Sequence, residues 1–448
     1  MLITNANLIT FEQPNQIIND QAILIEAGKI NKIGNSAEMI SQFHQEESIN
    51  ARNRFVLPGN ICAHTHFYGA FARGLAIPGD APANFSEILE KLWWKLDKSL
   101  TREDIYCSTL VCLIDAIKHG TTTLIDHHAS PAAISGSLDA IAQGVQEAGV
   151  RASLCYEVTD RDGEKLTEEG IKENIRFIDQ VKRNKQFGGL IASSFGLHAS
   201  LTLSDKTLEN CRNMIPDGFG FHIHAAEDVA DQYDSMKKSG IRVIERLSKF
   251  NILGPKTIVA HAVHIDAKEI DLLKDTATWV THQPRSNMNN AVGVAEVESM
   301  LNAGVKVGIG NDGFSNAMWD EWRAAYLIHK LWHLDPRRMG ADKIIHMAVH
   351  NNSQLVKTLF ENIEVGVIKP GAQADLIVVD YLPFTEMTPG NVPWHIIFGF
   401  RDSMVRTTIV NGKVLMLEGE LKTLDEDKIS HQAKKLSAEV WRKFSDQF

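Results

Sequence analysis

Two hydrophobic rhythms divide the chain. Near its start, LITNANLITF, QAILIEAGKINKIG and RFVLPG alternate apolar and polar positions and are broken by Asn, Gly and Pro, a pattern that predicts short strands and turns. Similar material returns near the end in ADLIVVDY and VRTTIVNGKVLMLEGELK, where the NG pair predicts a hairpin. Strand-rich segments at opposite ends can pair, so we expect a small composite β-sandwich domain from residues 1–56 and 365–448. The closing DEDKISHQAKKLSAEVWRKF has helical spacing with a charged face and predicts a surface helix.

Between these ends, residues 57–364 alternate strands with helices. The strands predicted are FVLPGNICAHTH, GTTTLIDHH, VRASLCYEV, GLIASSFGLH, GFGFHIHAAE, TIVAHAVHI, TWVTHQP and VKVGIGND, and stretches such as EILEKLWWKLDKSL and SLDAIAQGVQEAG separate them. Strands each followed by helical material, eight times over, predict an α/β fold of the (β/α)8 TIM-barrel type. A doubly wound open sheet is the alternative, but no GxGxxG follows a strand to support a dinucleotide-binding version.

In such a barrel the chemistry gathers where strands end. His64 and His66 end the first strand, His198 the fourth, His222, His224 and Glu227 the fifth, His261 and His264 the sixth, and Asp312 the eighth. Residues i and i+2 of a strand share a face, so both imidazoles of the His-x-His pair can reach one ion. Alone, the pair fits interior histidines equally well; the third histidine and the aspartate favour a metal. Glu227 lies where a carboxylate could hang over an ion held by His224. His261 could bind metal or hydrogen-bond a reacting oxygen. His222, His264 and His282 read as structural, His119 as the end of a helix, and His127 and His128 stay open. Trp93 and Trp94 fit either helix packing or a cover over the pocket.

Composition narrows the partners. A formal net charge of −10 without a long Lys/Arg run argues against nucleic acid. Five cysteines without CxxC spacing suit buried thiols in a reducing compartment. Neither a signal peptide nor an apolar run of the ~18 residues of a membrane span is evident, so no membrane partner and a cytoplasmic location are expected.

PGNICAHTHFYGAFARG, HIHAAE, VAHAVHI, PRSNM and GIGNDG, in that order, resemble the amidohydrolase superfamily. Within it they are similar to the aminohydrolases that include guanine, cytosine and S-adenosylhomocysteine deaminases and triazine hydrolases. The resemblance covers essentially the whole chain. It implies one divalent metal, zinc ahead of iron, held by His64, His66, His224 and Asp312. It also implies Glu227 as proton shuttle, His261 beside the reacting oxygen, and His198 and Arg73 as substrate contacts. Asp312 would also act in catalysis, as proton acceptor. The fourth strand lacks the lysine of binuclear members, which favours one metal. Two motifs depart from the family: GNDG stands where GTDG is usual, and the seventh strand reads THQPRSN.

The activity implied is hydrolytic deamination of a small nitrogen heterocycle, with water activated at the metal attacking the amino-bearing carbon. The same machinery could instead break a C–Cl bond or a cyclic amide. A non-catalytic metal-binding scaffold is the rival from another class. Homo-oligomerisation is the remaining implication of the resemblance.

Overall fold

The protein is described by a computed structural model covering residues 1–183 and 187–448. Nine strands from the two chain ends are hydrogen-bonded into one sheet. Leu2–Ile9 runs antiparallel to Ile17–Glu26 and parallel to Phe55–Pro58. Phe55–Pro58 in turn pairs antiparallel with Leu376–Val379, so the N- and C-terminal portions meet there. Val405–Val410 and Lys413–Leu417 extend the sheet as the hairpin predicted from NG. Asn411 and Gly412 both take left-handed backbones (φ 49° and 74°), as a type I′ turn requires.

Where two facing sheets were expected, the hydrogen bonding is continuous through the nine strands. The sheet curls instead, so that Ala374 N–H donates to Gly28 O (2.9 Å) and Lys29 bridges Gln373. Gly28 admits this approach because a Cβ there would lie 2.6 Å from Asn411. Ile3, Leu8, Ile23, Val56, Val378 and Ile409 share a core of their own inside the curl.

The central strands run parallel in chain order. Asn60–Thr65, Thr121–Asp126, Arg151–Leu154 and Ile191–Ser193 form one sheet; Phe195–Ala199, Phe221–Ala225, Ile258–His261, Trp279–His282 and Val307–Ile309 form the next. Only Ser194 separates the two pieces of the fourth strand, and its N–H still bonds Leu154 O (3.3 Å). At the far edge the eighth strand returns to the first: Asn311 and Asp312 N–H both donate to His64 O (2.9 and 3.1 Å), and Thr65 bridges Asp312. Gly310 makes that closeness sterically feasible, since a Cβ would sit 2.6 Å from His64 N. Every residue of these strands is buried. This is why they read as nearly continuous apolar runs rather than alternating ones.

Helices follow the strands and start at polar caps, such as the reciprocal Thr101–Asp104 box of Arg102–Lys118 and the Asp266–Glu269 box of Ala267–Asp275. The first of these ends at His119, as expected. The C-terminal helix, Glu426–Ser445, buries Ile429, Val440 and Phe444 against the protein. Trp441 Nε1–H donates to Phe71 O (2.8 Å), and Gln447 binds Lys95 O and Ser99 Oγ (2.9 Å each). It thereby braces the segment after the first central strand. No helix among the described residues is long and apolar enough to cross a membrane. All five cysteines are free, four of them buried.

Candidate metal centre and its cavity

The strand ends bring His64, His66, His224, His261 and Asp312 together. Each imidazole is held from outside through Nδ1. His64 meets His222 Nε2 (2.8 Å), His66 the His127 carbonyl, His224 the His198 carbonyl (2.8 Å) and His261 the Asn287 Oδ1 (2.8 Å). With Nδ1–H donated outward, the Nε2 atoms of the neutral His64, His224 and His261 keep lone pairs directed inward. His64 Nε2 and His261 Nε2 are buried without a protein partner. His66 Nε2 lies 3.2 Å from His224 Nε2 and 2.8 Å from Asp312 Oδ1, which is 3.6 Å from His64 Nε2. One donor atom from each of His64, His224, His261 and Asp312 falls within 4.8 Å of the others, and the same holds for His64, His66, His127 and His224. Buried inward lone pairs left unsatisfied beside a carboxylate fit a divalent cation, and a nitrogen-rich donor set suits zinc or iron.

The backbone bends where the ligands are needed: Ala226, His261 and Asp312 take φ of 51°, 74° and 57°, strained values for residues with a Cβ. Asp312 Oδ2 accepts from Ser286 Oγ (2.5 Å), leaving Oδ1 to face the histidines. Burial works to raise its pKa, but His64 and His66 hold it well below the usual carboxylate range, so it is ionised. Burial keeps His64, His224 and His261 neutral. His66 behaves differently: burial opposes its charge, yet Asp312 and Glu157 raise its pKa well above normal.

Glu227 stands beside this cluster, Oε2 3.5 Å from His261 Nε2 and Oε1 accepting from Asn290 Nδ2 (3.3 Å). Burial, reinforced by the Asp312 charge, pushes its pKa well above the usual carboxylate range.

The cluster forms the floor of a cavity, with His66, His224, Glu227 and Asp312 in its lining. Phe85, Leu89, Trp93 and Trp94 make one wall, and Tyr68 packs edge-on against Trp93 with ring centres 6.1 Å apart. Both tryptophans line the cavity. His198 lines the cavity as expected, its Nδ1 held by Thr202 Oγ1 (2.7 Å). Arg73 does not: it is exposed and absent from the lining. The 3-10 turn Phe67–Ala72 buries Phe67, Tyr68 and Phe71, and Arg73 leaves it in an extended conformation that carries the side chain outward.

His127, His128 and His222 pack beneath the site. His127 Nε2–H donates to His222 O (3.0 Å) with the two rings stacked, and His128 Nε2 pairs with Ser130 Oγ (2.9 Å). His264 and His282 are occupied elsewhere, by Val292 O and His329. In GNDG, Asn311 Nδ2 binds Phe314 O, Ser315 O and Asn316 Oδ1, which braces the following loop.

Two features escaped the sequence reading. Glu157, just beyond the third strand, is buried between His66, His127 and His198. The short helix Pro284–Asn289 and its cap supply Ser286 to Asp312, Asn287 to His261 and Asn290 to Glu227. An acid inside the apolar run ASLCYEV was the available signal for the first; the unusual PRSNMNN was the signal for the second.

Residues 55–415 match the amidohydrolase family. A 5′-deoxyadenosine deaminase of Methanosarcina mazei is 32% identical over 446 residues, 98% of each chain. The chain belongs to the amidohydrolase family. A 5-methylthioadenosine/S-adenosylhomocysteine deaminase of Acetivibrio thermocellus is 31% identical over 99% of this amidohydrolase and 100% of its own length. Among solved structures, a zinc-bound adenosine deaminase from Xanthomonas campestris superposes with a TM-score of 0.85 at 22% identity, covering 98% of both chains. An atrazine chlorohydrolase from Arthrobacter aurescens, also with zinc, gives 0.81 at 22% identity over 97% of this chain and 99% of that one. These two likenesses speak to the fold alone.

Proposed function

We propose that this amidohydrolase is a metal-dependent hydrolytic deaminase of an amino-bearing nitrogen heterocycle. The strand order and the return of the eighth strand to the first support a closed (β/α)8 barrel over residues 57–364. The curled sheet of residues 1–56 and 365–448 is then the composite β-domain. The observation that carries the functional reading is the buried Glu227 carboxyl 3.5 Å from His261 Nε2, beside histidine lone pairs that converge on Asp312.

His64, His66, His224 and Asp312 would hold one divalent cation, zinc ahead of iron, with His261 close enough to join them. When bound, such an ion supplies Lewis acidity that lowers the pKa of water to about 7. Glu227, steadied by Asn290, is placed to give its proton to a ring nitrogen, which makes the neighbouring carbon electrophilic. Because Asn287 fixes the His261 proton on Nδ1, His261 Nε2 begins as a proton acceptor. It can steady a developing oxygen charge only after gaining a proton. Asp312 stays ionised through its contacts with His64 and His66 and can share the incoming proton. The aromatic wall of Trp93 and Trp94 excludes water above the ring.

Relatives above 30% identity are named as deaminases, whereas the chlorohydrolase likeness is one of fold, which favours ammonia over chloride as leaving group. Homo-oligomerisation stays a proposal, supported by large apolar side chains exposed on the helix Met318–His333 and its cap, such as Leu331 and Leu334. Glu227→Gln tests the catalytic reading. Metal content should match the unmodified protein while ammonia release falls at least about a hundredfold; undiminished release would remove Glu227 from the reaction.

A further inference from the structure

Glu157 is a buried acid set among three histidines. Its side chain is 1% exposed, it lines the cavity, and its Oε1 has no hydrogen-bond partner. The polar groups around it are His66 Nδ1 at 3.3 Å, His127 Nδ1 at 3.4 Å and His198 Nε2 at 3.7 Å. Each of these nitrogens is already committed. The His66 Nδ1 proton goes to the His127 carbonyl. His127 gives its Nε2 proton to His222 O, which leaves a lone pair on Nδ1. Thr202 donates its hydroxyl to Ala199 O, so its oxygen accepts from His198 Nδ1–H and leaves a lone pair on Nε2. A buried carboxylate without a donor is costly unless something else supplies one.

The cavity offers no such donor in the form of a basic side chain. Among the described residues its lining holds Asp97, Glu157, Glu227, Asp228, Asp231 and Asp312 but neither Lys nor Arg. The nearby Arg161 pairs with Asp97 and Asp162, lies 5.5 Å from the Trp94 ring and keeps Nε and Nη1 without a hydrogen-bond partner, but it stands outside the lining. The facing wall of Phe85, Trp93 and Trp94 suits a flat ring.

Resting on the deaminase reading above, we infer that the substrate is a planar nitrogen ring that presents an N–H or cationic nitrogen to Glu157 and carries no anionic group. Phosphorylated nucleotides and rings with carboxylate tails would meet acidic groups without a compensating cation. This separates the protein from relatives whose named substrate, S-adenosylhomocysteine, bears a carboxylate.

The test is binding to the metal-loaded protein by calorimetry, using pairs that share a ring and differ in one charged group. Suitable pairs are adenosine with its 5′-monophosphate, guanosine with its 5′-monophosphate, cytidine with its 5′-monophosphate, and a diaminotriazine bearing an aminoethyl or a carboxyethyl arm. The neutral or cationic member should bind at least tenfold tighter in every pair that binds, and Glu157→Gln should weaken that member at least tenfold. Equal or tighter binding of an anionic member overturns the inference, as does the absence of binding by any ring. The pair ordering is read on the unmodified protein, so it holds even if the variant fails to fold. Ammonia release from the same compounds is scored separately. Correct ordering without ammonia would remove the deaminase reading and leave the inference standing; ammonia release with anionic preference would do the reverse.

Discussion

Replacing His222 with Phe isolates one hydrogen bond of the candidate metal centre. His222 Nε2 accepts the Nδ1 proton of His64 at 2.8 Å, and both rings are fully buried. This bond holds the tautomer that leaves His64 Nε2 free for a cation. Phe keeps the ring volume and the stack on His127, whose centre lies 4.3 Å away, but removes the acceptor. The metal-free variant can relax by moving the His64 proton to Nε2, towards Asp312. Binding a cation then forces the proton back to an Nδ1 with nothing to accept it, at a cost of about 1–3 kcal/mol for a buried unsatisfied donor. At 1.4 kcal/mol per decade this is roughly a fivefold to hundredfold loss of metal affinity, the range usual for partners behind metal ligands. Competition with a fluorescent zinc chelator measures it directly. His222→Gln, whose amide oxygen can accept, should recover part of the loss. If His222→Phe binds zinc within twofold of the unmodified protein while remaining folded, the bond does not organise His64 and the reasoning fails.

Two further outcomes follow from the same geometry. Arg73→Ala should leave kcat/KM within about twofold, because Arg73 stands outside the cavity; a tenfold loss would return it to the substrate site. Burial pushes the Asp231 pKa up to about 7, above its unfolded value of about 3.9. A raised folded pKa means its contribution to stability is complete below about pH 4 and is lost as pH rises through about 7. Asp231→Asn keeps an acceptor for the Ala226 amide, so its Tm relative to the unmodified protein should improve between pH 5 and pH 8. A constant difference across that range would count against the assignment.

The histidines and Asp312 were legible because they stand at the ends of strands whose order along the chain is also their order in space. His-x-His, HIHAAE and GNDG carry their meaning in spacing, and spacing survives folding. Glu157 was not legible, since a single acid after an apolar strand has no periodic signature. Ser286, Asn287 and Asn290 look like ordinary polar residues of a short helix. Their value depends on where that helix lands against Asp312, His261 and Glu227, which only tertiary packing decides. Arg73 misled for a related reason: nearness to His66 in sequence did not survive a tight turn that buries its aromatic neighbours. At the chain ends, alternation revealed the strands but not their partners. Phe55–Pro58 joins the two ends into one sheet, and the close approach of Gly28 to Asn411 and Ala374 curls it.

The central claim is best tested by titrating zinc into metal-stripped protein while measuring ammonia release from amino-substituted purines, pyrimidines, pterins and triazines. The account predicts release from at least one ring class that rises in proportion to bound metal and levels off at one ion per chain. Release that is independent of metal, or a fully loaded protein that frees no ammonia from any of these rings, would contradict it.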